Sequence, residues 1–324
     1  MKKVLILGAS GYIGSRLSVF FSQNEYLVTA VVNKNFNFLK RKSWADKMNN
    51  VIAGDITDES TLALIYKSSY DTIINLISLN HHASDNINPK KVSSINFLPN
   101  WILLEKYSKR DLNNFIYFST TQVYGELTSG LITEESSLNP SNIYGLTHYL
   151  SEEVCNYFNN KSDVNCIIFR LSNSFGDPVF NDNKCWSLAI NSFCKNAVLK
   201  GQIQLESDGK SIKDFIHYTD ICGSIDYILK IDLKDLKNLT FNLSTGHSMT
   251  IYDAARLVKE VFKEKFNEII PIEFSKHNQS PIKNEFSKLI IDNSKLKNIG
   301  FTFKTNYKKQ IYDLIIHLKK YYRN

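Results

Sequence analysis

The stretch "KKVLILGASGYIGSRLSVF", residues 2–20, decides how the rest of the chain is read. Val4–Leu7 is an unbroken apolar run, too short for a buried helix and suited to a strand covered on both faces. Glycines follow at Gly8, Gly11 and Gly14, and "SRLSVFFSQN" then takes up helical spacing. A GxxGxxG spacing between strand and helix suits a dinucleotide. Gly8 and Gly11 permit a tight turn close to a pyrophosphate. Gly14 lets helix and strand pack closely, and the helix N-terminus faces the phosphates.

The same strand signal returns in "YLVTAVVN", "NVIAGD", "DTIINLIS", "NFIYFST", "VNCIIFRLS" and "TFNLSTG". Helical stretches separate several of them, including "PKKVSSINFLPNWILLEKYSK" and "GLTHYLSEEVCNYFNN". Apolar strands alternating with helices predict an α/β fold: a doubly wound parallel (Rossmann) sheet with a smaller C-terminal substrate-binding lobe. The expected nucleotide-binding domain is 1–173, with about 214–246 returning to it. Residues 174–213 and 247–324 are expected to form the lobe, with helices over "WSLAINSFCKNAVLKG" and "TIYDAARLVKEVFKEKF".

The 324 residues are 43% hydrophobic and 22% charged, which gives material for a large core. A formal charge of +7 comes from scattered lysines, so no nucleic-acid stripe is predicted. Cys155, Cys166, Cys185, Cys194 and Cys222 form no CxxC pair and are odd in number, which predicts free thiols in a reducing cytoplasm. No run approaches membrane-spanning length, and "VLIL" is short for a signal core. No metal site is predicted.

Two segments refine the chemistry. The second strand ends "AVVNKN", with Asn33 and Lys34 where NAD enzymes often place an acid. Lys34 can meet a 2′-phosphate, helped by Arg16 or Arg41, so NADP(H) is favoured and NAD(H) is the alternative. Asp55 of "AGDITD" is placed to accept from an adenine amino group. "YFSTTQVYGE" brings Ser119, Thr120 and Thr121 to a strand end, and Tyr144 and His148 share a helix face at i and i+4. A strand-end hydroxyl and a helix-borne tyrosine suit proton exchange at a sugar oxygen while a nicotinamide exchanges hydride at its carbon.

At these residues the chain resembles the extended short-chain dehydrogenases/reductases, the nucleotide-sugar epimerase/dehydratase group. The likeness runs through "GASGYIG", "GDITD", "STTQVYGE", "FRLSNSFG", "DGKSIKDFIHYTDI" and "DNSKLKNIGF". It implies Thr120 and Tyr144 as the active pair, with His148 in the place of the family's lysine. It implies cofactor contacts from Ser10, Tyr12, Ile13, Ile56 and Ile77 besides the residues above. It implies substrate contacts from His81, Thr121, Gln122, Asn173 and Lys213, a nucleotide-diphosphate sugar as substrate, and a homodimer through the two helices named above.

Three departures narrow the expectation. Thr121 and Gln122 replace the Asp-Glu pair of the dehydratases, so water elimination is disfavoured. No histidine stands in "GDPVFNDNKCW", which disfavours carbanion epimerisation. Histidine at 148 removes a fixed positive charge beside Tyr144. The expected activity is therefore a 4-keto-sugar-nucleotide reductase in surface polysaccharide biosynthesis. A C4 epimerase is the first alternative, and a weakly catalytic nucleotide-sugar-binding protein the second.

Overall fold

The computed structural model describes residues 1–79, 88–234, 236, 238–275 and 288–322. The chain begins with β1 (Lys2–Leu7), α1 (Tyr12–Ser22), β2 (Tyr26–Val32), α2 (Lys42–Ala45), β3 (Asn50–Ala53), α3 (Glu59–Tyr66) and β4 (Thr72–Asn75). It continues through α4 (Pro89–Asn96), α5 (Leu98–Tyr107), β5 (Asn114–Thr120), β6 (Gly130–Ile132), α6 (Ile143–Asn159), β7 (Asn165–Leu171) and β8 (Asn173–Phe175). Next come α7 (Ala189–Lys200), β9 (Ile203–Leu205), β10 (Ile212–His217), α8 (Tyr218–Ile228), β11 (Thr240–Leu243) and β12 (Ser248–Thr250). The last elements are α9 (Ile251–Phe266), β13 (Ile272–Phe274), β14 (Leu289–Ile291), α10 (Ser294–Asn298) and α11 (Tyr307–Tyr322).

All seven apolar runs singled out in the sequence join one parallel sheet, in the order β11-β7-β5-β4-β1-β2-β3. Val4, Leu5, Ile6 and Leu7 are fully buried, as a strand covered on both faces requires. The chain winds outward from β1 to β3, then in the other direction from β4. The switch therefore falls between β1 and β4, where sheets of this type bind ligands beyond the C-terminal strand ends.

The chain folds into two units. The first is Met1–Glu126, Ser136–Leu171 and Ser224–Phe241, and the second Leu127–Glu135, Ser172–Gly223 and Asn242–Asn324. In the first unit, Leu5, Ile73, Phe115, Ile168 and Phe158 meet in one core. In the second, α7, α9 and α11 bring Phe193, Val258, Phe262, Leu314 and Leu318 together. The second unit also holds the three-stranded sheet β12-β10-β8.

One helical stretch differs from its expected form. Residues 89–109 make two helices that meet at Phe97, not one. Pro99 has no N–H to donate and its ring crowds the preceding turn, so it is tolerated only where a new helix starts. The apolar stripe on α6 is also divided. Val154 and Phe158 are buried, whereas Leu146 and Leu150 are 40% and 41% exposed. Leu98, Trp101 and Ile102 on the neighbouring α5 are exposed as well.

Candidate active site

The glycine turn is fixed by backbone crowding. A Cβ added at Gly14 would lie 2.2 Å from the Gly8 carbonyl oxygen, far inside any real contact. Gly8 itself has φ +78°, a conformation that favours glycine, and its added Cβ would touch Leu76 and Ile77 at 3.3–3.4 Å. The turn therefore lies against the segment that leaves β4. Gly11 caps α1, whose first turn carries no acid. A helix N-terminus of this kind, free of competing carboxylates, fits the pyrophosphate of a dinucleotide. Ser10, Gly11, Tyr12 and Ile13 all keep accessible surface there.

At the end of β2, Asn33 and Lys34 are exposed. The Asp55 carboxyl accepts from the Thr57 N–H at 3.0 Å and the Thr57 hydroxyl at 2.8 Å. The Thr57 backbone bond, with a lesser contribution from Lys34, holds it below the usual carboxylate range. Ile56 is buried among Ile52 and Leu62, so its side chain serves the core. Ile77 is half-buried at the glycine turn.

Thr120 ends β5, and its side chain caps the 3-10 turn Thr121–Tyr124 by accepting from the Gln122 N–H at 3.3 Å. The Gln122 side chain in turn accepts from Asn142 at 3.1 Å, and Asn142 caps α6 by accepting from the Gly145 N–H at 2.8 Å. A Cβ at Gly145 would meet the Gln122 carbonyl oxygen at 2.7 Å. The glycine after Tyr144 is thus what lets α6 begin against the turn that carries Thr121 and Gln122.

This packing joins the two expected catalytic hydroxyls. Protein atoms around the Tyr144 phenol push its pKa up to about 12, and a hydrogen bond from Thr120 works against that rise. The ring keeps some accessible surface. His148 stacks edge-on against it, ring centroids 4.4 Å apart. His148 is 2% exposed, and burial lowers its pKa to about 3, while the Phe118 backbone, which would favour a charged ring, opposes that shift. It is therefore neutral at physiological pH. Its Nδ1 lies 2.7 Å from the Tyr117 hydroxyl and its Nε2 3.1 Å from the Ser78 hydroxyl. Both of its ring nitrogens are thus engaged by protein hydroxyls.

One turn further along α6, Glu152 forms a buried ion pair with Arg170 of β7 at 2.7 Å. Glu152 also accepts from the Ser119 hydroxyl, and Arg170 donates to the Tyr124 hydroxyl at 3.0 Å. Sequence reasoning missed this cluster. The arginine inside the apolar run "CIIFRLS" was the available signal, because a charge in a buried strand needs a partner.

Asn173 and Lys213 belong to the second unit. Asn173 lies opposite Phe215 in the β8–β10 register, two residues along β10 from Lys213, and donates to the Asp214 carbonyl at 3.0 Å. Lys213 is exposed. Between them, Asp214 is fully buried and receives Ser172, Thr245 and His247 at 2.8–3.0 Å. His81 lies outside the described residues. Among the described residues no cluster suits a metal ion, and no helix is long and apolar enough to cross a membrane. All five cysteines are free and buried.

Comparison with known proteins agrees with the fold. A UDP-glucose 4-epimerase of Mycoplasma genitalium is 27% identical over 277 residues, spanning 80% of this chain and 81% of its own. A solved UDP-glucose 4-epimerase with UDP-glucose from Thermotoga maritima superposes with a TM-score of 0.81 at 20% identity, covering 98% of this chain and 99% of its own. A UDP-glucuronic acid 4-epimerase from Bacillus cereus, in complex with UDP-glucuronic acid and NAD, gives 0.78 at 20% identity, covering 99% and 100%. These two share the fold. The model described as the NAD dependent epimerase/dehydratase family matches residues 4–244, and the chain belongs to that family.

Proposed function

We propose that the protein reduces a 4-keto nucleoside-diphosphate sugar. A reduced nicotinamide dinucleotide, when bound, supplies the hydride. Tyr144 gives its phenolic proton to the carbonyl oxygen, and Thr120 hydrogen-bonds the same oxygen. The carbonyl carbon gains hydride, its oxygen gains the tyrosine proton, and solvent restores the phenol. Thr121 and Gln122 hold and orient without acid–base work, and the family resemblance assigns Asn173 and Lys213 to the diphosphate.

One observation carries this reading: burial beside a neutral His148 keeps the Tyr144 phenol protonated until it donates. Its pKa is near 12 and its ring neighbour His148 is neutral. A donor of that kind suits reduction; oxidation of a hydroxyl would need the phenolate first. The exposed Lys34 supports NADPH, whereas the NAD in the Bacillus cereus structure supports NADH. The exposed apolar residues of α5 and α6 fit a second copy of this chain. Buried free cysteines suit the cytoplasm. A place in surface polysaccharide synthesis rests on the family resemblance.

The second reading is C4 epimerisation through a transient ketone, favoured by the activities of the relatives above. Purified protein is tested with a 4-keto-6-deoxy sugar nucleotide and NADPH or NADH, following loss of the reduced cofactor. Stoichiometric oxidation is expected, and Tyr144→Phe should lose about 10²–10⁴ in turnover. Interconversion of C4 epimers without net cofactor consumption would establish the epimerase instead.

A further inference from the structure

Two hydroxyls that the sequence did not single out flank His148. Tyr117 on β5 is buried, its oxygen 2.7 Å from Nδ1. Ser78 has its oxygen 3.1 Å from Nε2 and donates to the Leu79 carbonyl at 3.0 Å. A serine hydroxyl has one hydrogen. Donation of that hydrogen to Leu79 leaves the Ser78 oxygen to accept from His148, an arrangement in which Nε2 carries the ring proton. A neutral imidazole has one N–H, which leaves Nδ1 as an acceptor. Tyr117 is the donor within reach. Ser151, the other hydroxyl beside Tyr117, gives its own hydrogen to the main-chain carbonyls of Asn96 and Thr147.

We propose that Tyr117 is a positioning residue that fixes His148 as the Nε2–H tautomer, and that this locked imidazole straps α6 to residues 76–79. That segment is the one against which Gly8 packs. The strap thus runs from the helix of the proton donor to the wall of the glycine turn. An ammonium has three donors and no acceptor. It could not take the Tyr117 hydrogen, so Tyr117 and His148 form an interdependent pair in place of one lysine. The proposal deepens the reading of the active site and rests on it for the link to cofactor binding.

The tautomer is measured by NMR on full-length protein with 15N-labelled histidine at neutral pH, without sugar nucleotide. His148→Gln identifies the signal. The expected pattern is a single Nε2–H tautomer. Tyr117→Phe should mix the tautomers and weaken the dissociation constant for reduced dinucleotide about fivefold, the loss of one hydrogen bond. An Nδ1–H tautomer or an imidazolium in the wild type would overturn the proposal. So would a Tyr117→Phe protein with unchanged tautomer and unchanged affinity. Because no keto sugar enters the measurement, failure of the reductase reading leaves this result standing, and the reverse holds.

Discussion

At the glycine turn, backbone meets backbone: the space beside Gly14 is filled by Gly8 itself, six residues earlier in the sequence. On the buried face of α6, side chain meets side chain across long loops of sequence. Thr147 meets Asn96, His148 meets Tyr117 and Ser78, and Glu152 meets Arg170. The first region is specified by what cannot fit. The second is specified by polar groups that must each find a partner once water is excluded. A site built half from steric exclusion and half from polar pairing can change its chemistry on the paired half alone. His148 lies on the paired half, and Gly8 and Gly14 make the steric half.

Breaking the paired half should cost most. Arg170→Met leaves the Glu152 carboxylate buried without its countercharge, and denaturant unfolding at neutral pH should show a loss of about 3–5 kcal/mol. Adding Glu152→Gln to it should recover a large part, since the second change removes the stranded charge. Breaking the steric half should cost less. Gly14→Ala forces α1 away from Gly8, with an expected loss of about 1–3 kcal/mol and weakened dinucleotide binding by titration. If Gly14→Ala destabilised more than Arg170→Met, the contrast between the halves would be reversed.

That contrast also explains how much could be read beforehand. The seven sheet strands were legible because burial makes most of their residues apolar, and Gly8, Gly11 and Gly14 declare their turn within seven positions. The placement of Thr120 at a strand end and of Tyr144 in the first turn of a helix was legible through their motifs. Tyr117 and Ser78 were not: each sits in a strand signal where tyrosine and serine need no comment, 31 and 70 residues from His148. Gly145 is required because the Gln122 carbonyl lies where its Cβ would be, a contact between positions the sequence does not bring together. The short strands β6, β8, β9, β12, β13 and β14 have three residues each, too few for a period to register. The break at Phe97 was written in Pro99, but the apolar spacing ran straight across it.

The finest test of the paired half is the charge on His148. Its folded pKa is lowered by burial from 6.5 to about 3. As pH falls through 6.5 the unfolded chain takes up a proton that the folded protein refuses, so the unfolded state gains. The stabilising contribution is fully present above 6.5 and declines by about 1.4 kcal/mol per pH unit below it, down to about 3. His148→Gln keeps a donor for Ser78 and an acceptor for Tyr117 but cannot take a proton. Between about pH 7.5 and 5.5, unfolding of the wild type should therefore lose roughly 1 kcal/mol more than unfolding of the variant. Other titrating groups, including the buried Asp214, contribute to both proteins and cancel. Equal losses would mean that His148 charges within the folded protein. A cation would then stand beside Tyr144 after all, and the argument from a tyrosine that begins protonated to a reductase would lose its support.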